Sequence, residues 1–207
     1  MDDSIVVTYW LPYFFNNGFN EHEGDWEFVA VILRPGSGID EVTPVAAAYS
    51  QHLEGLARWW PGSPEARRRL LGQPLFVEVE DGTHPAVFVA RGSHASYFEG
   101  GRTYQGLTDA VAESAADAIA FRSFGTEANM TIVMLPDVTV GTSVENLPSD
   151  FGWLVFPGRW GQRGEDWTIF RPLETFADDG PRGPVFSHAP MRWTNPYEWY
   201  ESLPKNL

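Results

Sequence analysis

The stretch that most limits what this chain can fold into is Asp25-Trp26-Glu27-Phe28-Val29-Ala30-Val31-Ile32-Leu33, closed by Arg34-Pro35-Gly36. Its second half is β-branched and apolar and ends on a strong breaker, which predicts a buried strand. If Trp26 already lies in that strand, side chains alternate across it. Asp25 and Glu27 then share one face, while Trp26, Phe28 and Ala30 occupy the other. Two carboxylates about 7 Å apart along a strand, at the entry to an apolar run, are costly unless something positive sits between them. His22 comes shortly before, and Gly24 permits a bend that brings its imidazole back over the pair. This is a cradle for a divalent cation; the structural alternative is a solvated, acid-rich strand end.

The rest of the chain is punctuated by sixteen prolines and twenty glycines, too often for long helices, and the short β-branched runs between them favour sheet. Residues 5–15 read as a strand broken at Pro12, turning at Asn16-Asn17-Gly18 to pair antiparallel with the strand of Trp26. Residues 45–49 form a third strand, ending in Ser50-Gln51-His52. Residues 63–72 read as a short helix, with Ser63 as cap, Pro64 at its first position and Gly72 beyond its end. Residues 75–80 and 86–90 form a hairpin about Asp81-Gly82. The Ala-rich residues 108–121 suggest a helix or lid, residues 131–135 another strand, and Asn195-Pro196 the start of a short terminal helix. The expected fold is mainly β: an antiparallel β-sandwich with a few short peripheral helices, formed by residues 1–207 as one domain.

Composition removes several functions. The net charge of −14 leaves no cationic surface for nucleic acid or for anionic lipid, so no nucleic-acid partner is expected, and membrane contact does not follow from charge. With no cysteine there is no disulfide scaffold, zinc-thiolate site or thiol nucleophile. The 43% hydrophobic content and nine tryptophans are those of a folded chain. Asp2 and Asp3 stand where a secretory signal needs positive charge. A cytoplasmic setting is therefore expected, with release by a non-classical route as the alternative.

Three histidines stand at strand ends: His22 before one, His52 and His94 closing two others. His84, before Pro85, reads as a surface turn residue, and His188 lies in a Pro/Gly-rich tail. In a sandwich, loops gather at the two ends, so His52 and His94 can face the carboxylate pair. The expected metal site is His22, Asp25, Glu27, His52 and His94. Carboxylates alone favour Mg²⁺ or Ca²⁺, and histidines among the ligands favour Mn²⁺, Zn²⁺ or Fe²⁺. Ser93 and His94 are adjacent, point to opposite faces in extended chain, and cannot pair as nucleophile and base.

The motifs also carry a resemblance. His22-Glu23-Gly24-Asp25-Trp26-Glu27, Tyr49-Ser50-Gln51-His52, Gly92-Ser93-His94-Ala95-Ser96-Tyr97, Gly158-Arg159-Trp160-Gly161 and the Gly180-Pro181-Arg182-Gly183-Pro184 segment together resemble the vacuolar protein sorting-associated protein 62 family. The first block is more distantly similar to the Gly-His-Arg-His-Asp-Trp-Glu heptapeptide of the necrosis-inducing proteins, with His22, Asp25, Trp26 and Glu27 matched. Glu21, Glu23 and Gly24 stand at the positions that differ. That second resemblance implies a β-sandwich with a divalent cation in an acidic cavity and a sphingolipid head-group as ligand.

Two functions follow. One is a binding module whose cation holds a small-molecule, sugar or lipid head-group ligand. The other is a metal-dependent enzyme of hydrolase or lyase type, in which Glu27, His52 or His94 moves a proton.

Overall fold

Alternation along the second strand sets the architecture. The computed structural model describes residues 4–16, 22–38, 41–51, 54–64, 76–90, 94–99, 120–122, 135–136, 142–161, 179–186 and 190–205. Most of the regular structure among them is strand in antiparallel sheets, joined by a few short helices. β1 (Ile5–Asn16), β2 (His22–Pro35), β3 (Val42–Gln51) and β4 (Glu54–Trp59) form a four-stranded sheet in that order. β2 takes in the whole acidic motif. Tyr13 lies opposite Asp25 and Leu11 opposite Glu27, while Val29 lies opposite Tyr49 on the other side.

Both faces of this sheet are covered. Phe28, Ala30 and Ile32 pack with Trp199, Tyr200 and Leu203 on one side. Val29 and Val31 pack with Tyr49, Leu56 and Phe98 on the other. Ala46, Ala47 and Ala48 of β3 are buried between these layers, and their small side chains leave room for aromatic rings above and below. Phe28 meets Trp199 edge-on at 5.1 Å, and Tyr49 stacks on Phe98 at 3.9 Å.

Several expectations change. Pro12 does not interrupt β1, because β1 lies at the edge of the four-stranded sheet, where a proline can turn its missing N–H away from the ladder. β3 starts at Val42 and takes Pro44 at an irregularity between the Ile32–Ala46 and Leu33–Pro44 pairs. β4 has no counterpart in the sequence reading. Gly55, Ala57 and Arg58 are weak strand formers, and burial against β3 overrides their propensity.

The turn at Asp81 (φ 50°) and Gly82 (φ 74°) falls where expected, but it joins β5 (Val79–Glu80) to β6 (His84–Pro85) rather than to a strand over 86–90. His84 is exposed, as expected. The pairing ends with the Ala86 N–H donating to Glu78 O at 2.8 Å. β7 (Phe88–Ala90) then leaves for a separate sheet between β8 (Ser96–Tyr97) and β9 (Ala120–Arg122). β9 thus replaces the end of the helix or lid expected at 108–121, whose first twelve residues lie outside the described residues. Also outside them lie His52, His188, the turn at 17–18, the body of the helix expected at 63–72, and residues 131–134.

Asn195 caps the terminal helix Pro196–Ser202 as expected, its side chain accepting from Glu198 N at 3.2 Å. No helix among the described residues is long and apolar enough to cross a membrane.

Candidate functional site

The site is built at the entry to β2, where Gly24 bends the strand at φ +74°. Asp25 follows, 15% exposed at its side chain. Its Oδ1 accepts from the Trp26 backbone N–H at 2.9 Å. Its Oδ2 accepts from Asn16 Nδ2 at 3.0 Å and lies 3.2 Å from His94 Nδ1. His94 reaches it from the loop between β7 and β8 in a left-handed conformation, φ +65°. That conformation costs a non-glycine residue about 1 kcal/mol or more. The turn holding it is closed by His94 N donating to Ala90 O and Ala90 N donating to Ala95 O.

Tyr13, opposite Asp25 on β1, stacks flat on the His94 ring, centroids 4.2 Å apart and planes within 4°. Burial pushes its phenol well above the usual tyrosine range, and Glu27 and then Asp25 push it further. Both carboxylates therefore act on one phenol, as their shared face requires. Sequence reasoning missed Tyr13 and Asn16. The signal for both is the cross-strand register, which pairs Tyr13 with Asp25 and Asn16 with His22.

Glu27 is 2% exposed and accepts from Ser50 Oγ, which in turn accepts from Phe28 N at 2.7 Å. The positive charge expected near the acidic pair is supplied in part by Arg192. This side chain is 4% exposed, donates to Glu54 O at 2.6 Å and lies 5.2 Å over the Trp199 ring. Burial lowers its pKa, and Glu27 opposes that shift. His22 is buried and pairs in register with Asn16, whose amide donates to Asp25. Of the five expected ligands, Asp25 and His94 touch, Glu27 and His22 lie buried in the same strand, and His52 is outside the described residues.

The fit to a cation can be judged from the donors. Among the described residues, no group of three or more His, Asp or Glu side chains is gathered closely enough to hold an ion. What is in contact there among the described residues is one carboxylate and one imidazole, with the Asn16 amide donating to the same carboxylate. Ser96 Oγ is fully buried with no hydrogen-bond partner among the described residues.

Beside Asp25 an open groove of about 220 Å³ is lined by Pro12, Tyr13, Phe14, Glu23, Gly24, Trp26, Trp160 and Gly161. Trp26 is half-buried in it rather than in the core, stacked on Trp153 at 5.8 Å and edge-on to Trp160 at 6.3 Å. Phe14, 89% exposed, forms an apolar rim. The groove depends on close backbone approach. A Cβ on Gly24 would strike the Trp160 carbonyl oxygen, and one on Gly161 (φ +100°) would strike Glu23. Trp160 N donates to Pro181 O at 2.7 Å, which ties the Gly-Pro segment to the same place.

Blocks spread along the chain thus meet at one end of β2. Family models, curated proteins and solved structures yield no match to the chain.

Proposed function

We propose that this chain is a β-sandwich binding module that uses a divalent cation at Asp25 and His94 to hold a polar or anionic head-group, such as a sugar or lipid head-group, in the adjoining aromatic groove. The sandwich is the three-stranded sheet lying over the Val29 face of the four-stranded one, a reading supported by the Tyr49–Phe98 stack. The observation that carries the function is the approach of Asp25 Oδ2 and His94 Nδ1 to 3.2 Å beside that groove. Cis ligands about 2.2 Å from a six-coordinate ion lie about 3.1 Å apart, so a cation can take both atoms with little movement. Glu27 and His22 supply negative charge and a second imidazole from the same strand, and His52 belongs to the same proposed set.

Binding is favoured over catalysis by the state of Glu27. Its carboxylate is engaged by Ser50 and almost fully buried, which suits a charge reservoir better than a group that meets a ligand's proton. The groove combines aromatic faces, which stack on sugar rings, with the carboxylates of Glu23 and Asp25, which accept from hydroxyls. An anionic ligand needs the cation to offset that acidity. Membership of the vacuolar protein sorting-associated protein 62 family is part of this proposal, supported by the convergence of its sequence blocks at the site. A reducing, cytoplasmic setting is consistent with a chain that has no cysteine.

The test is a set of thermal melts with chelator and with Mg²⁺, Ca²⁺, Mn²⁺ and Zn²⁺, for the unmodified protein and for Asp25→Asn. A bound ion should stabilise the unmodified protein by about 2.7 kcal/mol at a hundredfold excess over its dissociation constant, and Asp25→Asn should lose that gain. Calorimetry with a sugar phosphate should then give binding only with the ion present. Melting curves indifferent to chelator and to every metal would end the proposal.

A further inference from the structure

We propose that the aromatic groove beside Asp25 takes a small organic ammonium ion, a free methylated amine of the choline type, by cation–π contact with Trp26, Trp160 and Tyr13. This inference shares only the groove with the reading above and does not rest on a metal ion. At about 220 Å³ the groove is smaller than the roughly 300–1,000 Å³ of pockets for drug-sized ligands. It suits a group of a few heavy atoms.

Shape points to a rounded group. Trp26 and Trp160 stand 6.3 Å apart with their planes at 82°, so the two rings make a corner. A flat sugar ring stacks on one open face, whereas a methylated ammonium touches both walls of a corner. Trp26 is backed by Trp153, centroids 5.8 Å apart and planes within 1°, and Tyr13 is backed by the His94 ring. Trp153 and His94 do not line the groove, so each holds its neighbour's ring from outside it. The walls are thus in place before a ligand arrives.

Charge decides the class. The carboxylate residues lining the groove are Glu23 and Asp25, and no lysine, arginine or histidine lines it among the described residues. Arg159, next in sequence to Trp160, donates to Gly180 O at 3.0 Å and pairs with Asp179 at 3.2 Å. The chain as a whole carries −14, which draws cations to its surface. Without a metal, an anion meets repulsion from the carboxylates and the ring faces alike, while an ammonium is attracted by both. Phe14, exposed at the rim, offers apolar surface to its methyl groups.

The experiment is calorimetry and tryptophan fluorescence of the full chain in chelator. The probes are choline, tetramethylammonium, phosphatidylcholine vesicles, and dimethylbutanol, the uncharged isostere of choline with carbon in place of nitrogen. Both free ammonium ions should bind and alter the emission, and dimethylbutanol should bind about tenfold more weakly or not at all. Trp26→Leu should weaken choline by about tenfold, and Trp26→Phe by less. Glu23→Gln should weaken choline and leave dimethylbutanol unchanged. Equal binding of choline and dimethylbutanol would show an apolar groove without charge recognition and overturn the inference. Binding of the vesicles with no binding of free choline would overturn it too, by placing the rim on a membrane. Should Trp26→Leu not fold, Glu23→Gln decides, and an unchanged choline affinity there sinks the idea. Failure of choline to bind chelator-treated protein ends this inference and leaves the metal reading, whereas melts indifferent to metals end that reading and leave this one.

Discussion

Gly24 and Gly82 share a backbone conformation, φ +74° at each, in very different surroundings. An added Cβ on Gly82 would meet nothing within 4 Å. On Gly24 it would strike the Trp160 carbonyl oxygen and lie 3.4 Å from Pro181 Cδ. Gly82→Ala therefore measures the conformational cost alone, about 1–2 kcal/mol for an alanine held left-handed. Gly24→Ala carries that same cost and also displaces the Trp160 backbone. The displacement puts at risk the bond from Trp160 N to Pro181 O, worth about 1 kcal/mol. The edge-on contact of Trp160 with Trp26 adds about 0.5–1.5 kcal/mol. The expected total for Gly24→Ala is about 3–4 kcal/mol, roughly twice that of Gly82→Ala. Urea denaturation followed by tryptophan fluorescence measures both, and only Gly24→Ala should alter the native emission, since only it disturbs the tryptophan cluster. Equal destabilisation by the two substitutions would refute the claim that Gly24 is the seat of the Trp160 segment.

Ser50→Ala removes the hydroxyl that donates to the buried Glu27 carboxylate and accepts from Phe28 N; a loss of about 2–3 kcal/mol is expected in chelator-treated protein, and a loss within error would show that the pair is not held as described. Alkaline stability tests the buried phenols. Burial raises Tyr13 and Tyr49 above the ordinary tyrosine range, with Glu27 and Asp25 adding at Tyr13 and Arg58 opposing at Tyr49. A folded pKa above the unfolded one means that this stability is intact below about pH 10 and falls as pH rises beyond it. Absorbance titration at alkaline pH should show late-titrating phenols that disappear in the Tyr13→Phe, Tyr49→Phe double variant, and a single ordinary titration of all phenols in the native protein would contradict the burial.

Much of this arrangement was legible in residue order because it depends on local periodicity. The alternation from Asp25 to Leu33 places Phe28 and Val29 in opposite layers, and Asp81-Gly82 and Asn195-Pro196 carry their turn and cap chemistry within a few residues. β4 was hidden because its stability comes from burial on β3 and not from its own propensities. Pro12 misled because the cost of a proline in a strand depends on whether that strand is at an edge, which is a tertiary fact. The same division runs through the site. Asp25 and His94 were recognisable as types that seek a cation. Tyr13 and Asn16 were not, since their places beside Asp25 follow from cross-strand register, which no short-range pattern encodes.

The central claim is that His94 and Asp25 hold one cation together. Mn²⁺ is both a candidate ion and a spin probe, so electron spin-echo modulation of the Mn²⁺-loaded protein reads the nitrogen ligand directly. One bound Mn²⁺ per chain is expected, with a nitrogen coupling that disappears in His94→Gln, while Asp25→Asn loses the ion altogether. A Mn²⁺ signal without nitrogen coupling, or a coupling that survives His94→Gln unchanged, would contradict it.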